Sequence, residues 1–151
     1  FTHKPENPIL SGLVGSEMCI RDRYTSLGLM SGTSGDGVDA SIIKSDGLSK
    51  YDVILNKYYE YDKEIYQNIH LLKEKINSSK DLKIYSEDIK NLERKITMFH
   101  AKVTNEILKK KEIDLVGFHG QTILHNSEER ISRQLGDGNL LSQLTKKKYC
   151  L

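Results

Sequence analysis

The sequence predicts an α/β domain whose mixed sheet opens with antiparallel strands and is flanked by two helices. Three observations predict it. Runs rich in β-forming residues follow one another across turns between 24 and 61, and apolar stripes at helical spacing occupy 65–76 and 89–107. A short, unbroken apolar run at 113–118 then follows the second stripe, as a buried strand does after a helix. A chain of 151 residues holds one domain with a sizeable core and is too short for two ordinary ones.

The first strand is expected over Tyr24–Met30 and the second over Val38–Lys44, where Ile42 and Ile43 are the apolar anchors. Ser45, Asp46 and Gly47 mark the next turn. Tyr51–Tyr61 alternates only partly, but Val53, Leu55, Tyr58 and Tyr59 favour a third strand, with its tyrosines as packing and edge residues. Asp62 caps a helix whose buried stripe is Ile65, Ile69, Leu72 and Ile76; His70 lies off the stripe and is expected to face solvent. Ser78–Lys83 reads as a polar connection. Ser86, with Glu87 and Asp88, opens a second helix carrying Ile89, Leu92, Ile96, Phe99, Val103 and Ile107 over about five turns. His100 is placed at its surface or boundary. Ile113–Phe118 is the buried strand, Thr122–Leu124 an edge strand, Asn126–Arg133 a polar turn region, and Leu140–Leu144 the start of an amphipathic helix.

The densest chemistry lies in Leu29–Ala40, Leu-Met-Ser-Gly-Thr-Ser-Gly-Asp-Gly-Val-Asp-Ala. Glycines let the backbone turn and approach a ligand, Ser31, Thr33 and Ser34 add hydroxyls, and the freed N–H groups of such a turn make an anion-binding concavity. Asp36 and Asp39 sit badly beside a bare phosphate but well if a divalent cation bridges them, since magnesium takes one or two carboxylates together with phosphate oxygens. Gly-Asp-Gly between apolar runs is equally an ordinary hairpin signal, and the stretch is neither a Walker loop nor a dinucleotide fingerprint. Downstream, the buried strand delivers His119, Gly120, Gln121 and Thr122 to its carboxyl end, where ligands collect in open α/β sheets. An imidazole, an amide and a hydroxyl there suit sugar recognition.

Met-Ser-Gly-Thr-Ser-x-Asp-Gly-Val-Asp resembles the amino-terminal signature of the anhydro-N-acetylmuramic acid kinases, members of the sugar kinase and actin superfamily. Gly117–Thr122 (Gly-Phe-His-Gly-Gln-Thr) and Gln134–Asn139 (Gln-Leu-Gly-Asp-Gly-Asn) repeat the resemblance in the family's order. Gly35 stands where a larger apolar residue is expected in many relatives. The resemblance implies a partial actin-like ATPase (ribonuclease H-like) domain over 24–145, in which Gly32, Thr33, Ser34, Gly35, Asp36, Gly37, Val38 and Asp39 bind ATP and Asp36 faces Mg2+. It also implies His119, Gln121, Thr122 and Asp137 as substrate-binding residues. The implied reaction is ATP-dependent hydrolytic opening of 1,6-anhydro-N-acetylmuramic acid with phosphorylation to N-acetylmuramate 6-phosphate, in peptidoglycan recycling. The family's activating carboxylate lies beyond this chain, so no catalytic residue is assigned and the chain alone is expected to be inactive. A different sugar kinase of the superfamily, or a non-catalytic anion- or sugar-binding module, is the alternative.

Composition agrees. A net charge of +2 argues against a nucleic-acid partner, and no apolar run approaches the ~18 residues of a membrane span. Cys19 and Cys150 form no metal-type spacing, so no zinc site is expected, and a cytoplasmic protein fits all of these observations; for the full-length family member a homodimer is expected. Residues 1–23 have no period, and Ser16–Arg23 resembles translated sequencing adaptor, so a non-native or disordered leader is expected there. Residues 146–151 read as an interrupted, non-native end.

Overall fold

The computed structural model describes residues 23–146 and the backbone of 149–150. The expected leader therefore lies almost wholly outside the described residues. Strands β1 (Tyr24–Ser31), β2 (Gly37–Ser45) and β3 (Tyr51–Glu60) form an antiparallel meander. Helices α1 (Lys63–Lys75), α2 (Ser79–Ile84) and α3 (Ser86–Leu108) follow, then β4 (Leu115–Phe118). The chain continues through β5 (Gln121–Asn126), β6 (Ile131–Leu135), α4 (Gly138–Thr145) and β7 (Tyr149–Cys150). The main sheet runs β3-β2-β1-β4-β7, antiparallel on one side of β1 and parallel on the other, while β5 and β6 form a separate hairpin. This is the mixed α/β architecture that the periodicities predict.

Alternation on the strands sends Leu27, Leu29, Val38, Ala40, Ile42, Val116 and Phe118 to one buried face. Against that face pack Ile65, Ile69 and Leu72 of α1 and Ile89, Leu92, Ile96, Val103 and Ile107 of α3. Each such side chain contributes about 1.5–3 kcal/mol by leaving water. The Asp62 carboxylate accepts from the Ile65 N–H at 2.8 Å, so the expected cap is present. Asp46 closes the β2–β3 turn by accepting from the N–H groups of Leu48, Ser49 and Lys50. Thr25 and Asp114 clip the start of β4 to β1: Asp114 N–H donates to the Thr25 carbonyl at 2.8 Å, and Thr25 N–H to the Asp114 carboxylate at 2.9 Å.

Several expectations need correction. The polar connection 78–83 is helical. Ser78-x-x-Asp81 is a capping pattern in which the Asp81 carboxylate accepts from the N–H groups of Asn77 and Ser78, at 3.0 and 2.9 Å. Ser86 is the first residue of α3 and Tyr85 holds its cap position. The region 126–133 is not all turn, because Ile131, Ser132 and Arg133 pair with Asn126, His125 and Leu124, respectively, in the β5–β6 hairpin. His70 does not simply face solvent: its ring lies tilted against Tyr66 at 4.3 Å between centroids, and its Nε2 is buried. His100 is not at the surface but fully buried.

Candidate active site

The turn between β1 and β2 is Gly32–Asp36, closed by the Gly35 N–H donating to the Gly32 carbonyl at 3.2 Å. Gly35 has φ +73°, and a Cβ there would lie 2.8 Å from Ile69 Cγ2, so glycine lets the turn sit directly on α1. Thr33, Ser34 and Asp36 are exposed, whereas Gly37 is buried and Val38, with no exposed surface, is paired within the sheet to Ser31 on one side and Tyr59 on the other, so neither of these two expected ATP-binding residues presents itself at the surface. Ser34 Oγ donates to the Asp36 carboxylate at 2.5 Å. That hydroxyl first, then backbone N–H groups and the Tyr58 hydroxyl, hold the Asp36 carboxyl below the usual carboxylate range. Asp36 is thus an ionised, outward acid at the rim of the turn, which fits a cation held through water. Asp39 lies further along β2 and lines a separate open trough of about 500 Å³ on the uncovered sheet face, with Met30, Ser41 and His119.

Buried polar groups hold the turn from beneath. Ser31 Oγ lies 2.8 Å from the Tyr61 hydroxyl and 3.2 Å from His100 Nε2, while His100 Nδ1 lies 2.8 Å from the Ile96 carbonyl. A carbonyl only accepts, so Nδ1 carries the proton and Nε2 accepts from Ser31, whose oxygen in turn accepts from Tyr61. Every donor in this chain of bonds has one direction. Burial pushes the His100 imidazole down to about 4 and the Tyr61 hydroxyl up to about 12, so both stay neutral. The Phe118 ring stands edge-on to His100 at 4.9 Å.

The three motifs meet. Gln121, fully buried, donates through Nε2 to the Gly32 carbonyl at 2.9 Å, so its amide is directed at the turn and not at an open surface. Gly120 has φ +73°, and a Cβ there would stand 2.3 Å from the Leu135 carbonyl, which shows how closely the second motif is laid on the third. His119, exposed at the end of β4, receives Gln134 Nε2 on its own Nε2 at 2.9 Å and directs Nδ1 to the Gly120 carbonyl at 3.2 Å. Thr122 is half-buried on β5. Asp137 caps α4 by accepting from the Leu140 N–H at 2.9 Å, and its own N–H donates to Thr97 Oγ1 at 3.0 Å. Glu93 anchors the same corner, accepting from Gly136 N–H and Arg133 Nη2, each at 3.1 Å.

Sequence reasoning passed over Tyr58, Tyr61, Lys73, Glu93 and His100. Lys73, in the last turn of α1, donates to the Thr33 carbonyl. Its spacing of four from Ile69 was the available signal, since that residue is on the stripe the turn rests on.

The family model described as anhydro-N-acetylmuramic acid kinase matches residues 24–149. An anhydro-N-acetylmuramic acid kinase of Pelagibacter ubique (strain HTCC1062) is 64% identical over 126 residues, 82% of this chain and 34% of the relative. Those of Agrobacterium fabrum (strain C58) and Rhodospirillum rubrum are 36% and 35% identical, over 80% and 78% of this chain and 34% and 31% of their own lengths. The chain thus spans about a third of the curated relatives it matches. With its three motifs in order and the family model covering 24–149, the chain belongs to the anhydro-N-acetylmuramic acid kinase family.

Proposed function

We propose that this chain supplies the phosphate-binding part of an ATP-dependent kinase that opens 1,6-anhydro-N-acetylmuramic acid with water and phosphorylates O6, giving N-acetylmuramate 6-phosphate. The observation that carries the reading is the bond from Gln121, in the second motif, to Gly32, in the first: it builds one site from segments 89 residues apart. Gly32–Asp36 offers N–H and hydroxyl donors to phosphate oxygens, with the buried, sheet-paired Gly37 and Val38 behind it. Asp36 would hold Mg2+, which when bound spreads the charge of the phosphate oxygens. Asp39 and His119 share the trough beside the turn. His119, with Gln134 fixing its ring, suits a sugar hydroxyl, and Thr122 and Asp137 lie on the elements that follow.

The actin-like, ribonuclease H-like form of the domain, a cytoplasmic location, a homodimeric full-length state and a role in peptidoglycan recycling belong to the same reading. They are supported by the family; among the described residues no helix is long and apolar enough to cross a membrane. No described carboxylate is assigned as the base that activates water; Asp137 is engaged as a helix cap. The expectation is that residues 24–145 alone do not phosphorylate the anhydro sugar, whereas the intact gene product does. Titrating the intact enzyme with nucleotide and magnesium after Thr33, Ser34 and Asp36 are changed to alanine tests the site. Unchanged affinity and turnover would remove the basis of the reading.

A further inference from the structure

In a trans peptide unit the carbonyl of one residue and the N–H of the next lie in one plane and point in opposite directions within it. Whatever grips the carbonyl therefore aims the N–H. The Gly32 carbonyl is held from inside by Gln121 Nε2 at 2.9 Å and by the Gly35 N–H at 3.2 Å, so the Thr33 N–H points the other way. The Thr33 carbonyl is held by the Lys73 ammonium on α1, so the Ser34 N–H also points away from its clamp. Among the described residues, neither N–H has a hydrogen-bond acceptor.

We propose that Gln121 and Lys73 are positioning residues that set two successive peptide planes of the turn, leaving the Thr33 and Ser34 N–H groups aimed outward as a paired donor site for phosphate oxygens. The inference rests on the phosphate reading above and adds what orients the donors. Gln121 is suited to this by burial: with no exposed surface, its amide has no water to exchange for the carbonyl. Its Oε1 has no hydrogen-bond partner, a cost that the fold accepts in order to keep Nε2 on Gly32. Lys73 is suited by charge. Its ammonium also lies 3.5 Å from where a Cβ on Gly35 would stand, and its charge lies near Asp36. A cation on the Thr33 carbonyl polarises the Thr33–Ser34 peptide and strengthens its N–H as a donor. It also offsets the Asp36 charge that would repel an anion.

The test uses the intact gene product, with ATP, inorganic tripolyphosphate and adenosine as calorimetric probes and amide NMR shifts of Thr33 and Ser34 as the orientation readout. Lys73→Met and Gln121→Met keep size and remove the donor. Each is expected to weaken ATP and tripolyphosphate by about tenfold or more, as for loss of an oriented donor, to leave adenosine unchanged, and to shift both amides. Lys73→Arg, which keeps charge and donor, is expected to recover most of the affinity. If wild type binds ATP and the Met variants bind it equally well, or lose ATP and adenosine alike, the positioning role is refuted while the phosphate reading stands. If wild type binds neither ATP nor tripolyphosphate, the phosphate reading falls and takes this inference with it.

Discussion

Between pH 6.5 and 4, acid should loosen this domain through His100, in addition to its surface carboxylates. Its ring is fully buried between the Ile96 carbonyl, Ser31 and the edge of Phe118, and burial lowers it to about 4 from an ordinary value of 6.5. Because the folded pKa is depressed, the unfolded chain binds more protons between pH 6.5 and 4, and stability falls as pH drops through that window. The stabilisation is complete above 6.5 and levels off below 4. Linkage gives a loss of about 2 kcal/mol at pH 5 and about 3 kcal/mol at pH 4. Protonating Nε2 would also remove the acceptor for Ser31 and turn two donors toward each other.

His100→Gln keeps a polar side chain without the titration. Urea unfolding of wild type and variant at pH 7, 6 and 5 isolates the contribution from that of the carboxylates, which both chains share. The variant is expected to be less stable at pH 7, with the gap narrowing by about 2 kcal/mol by pH 5. Parallel stability profiles for the two proteins across this window would refute the argument.

Other expectations follow from single contacts. Gly35→Ala should cost about 1–2 kcal/mol, because its left-handed φ strains alanine and Ile69 must yield; Gly120→Ala should cost more, since the obstruction there is the Leu135 backbone carbonyl. Thermal unfolding of the two variants gives that order directly. Asp137→Ala should cost about 1 kcal/mol through loss of the α4 cap, whereas Asp137→Asn should be nearly neutral. If Asp137→Asn preserves stability yet abolishes turnover of the intact enzyme, the carboxylate has a substrate role beyond capping. Asp36→Asn should weaken the magnesium dependence of nucleotide binding in the intact enzyme, with adenosine affinity unchanged; an unaltered magnesium titration would remove Asp36 as the metal-facing acid.

What was legible in the sequence was whatever depends on near neighbours. Asp62 capping α1, the Ile65–Ile69–Leu72 stripe, the turn at Asp46 and the short strand ending at Phe118 all follow from spacing over a few residues. Helix α2 was locally encoded too, in Ser78-x-x-Asp81, but it buries no residue fully and so leaves no stripe to follow. The histidine on α3 failed for a different reason. Phe99 and His100 both continue the stripe from Ile96, at three and four residues, and hydrophobicity selects the phenylalanine. Burial of the histidine is decided by a hydroxyl 69 residues upstream, which no local pattern contains. Gln121 is the same case at a separation of 89, and Lys73 at 40. The turn that would meet a ligand announces itself through glycines, hydroxyls and acids; the groups that orient it are single polar side chains on distant elements, and they acquire meaning only once the hydrophobic faces have brought those elements together.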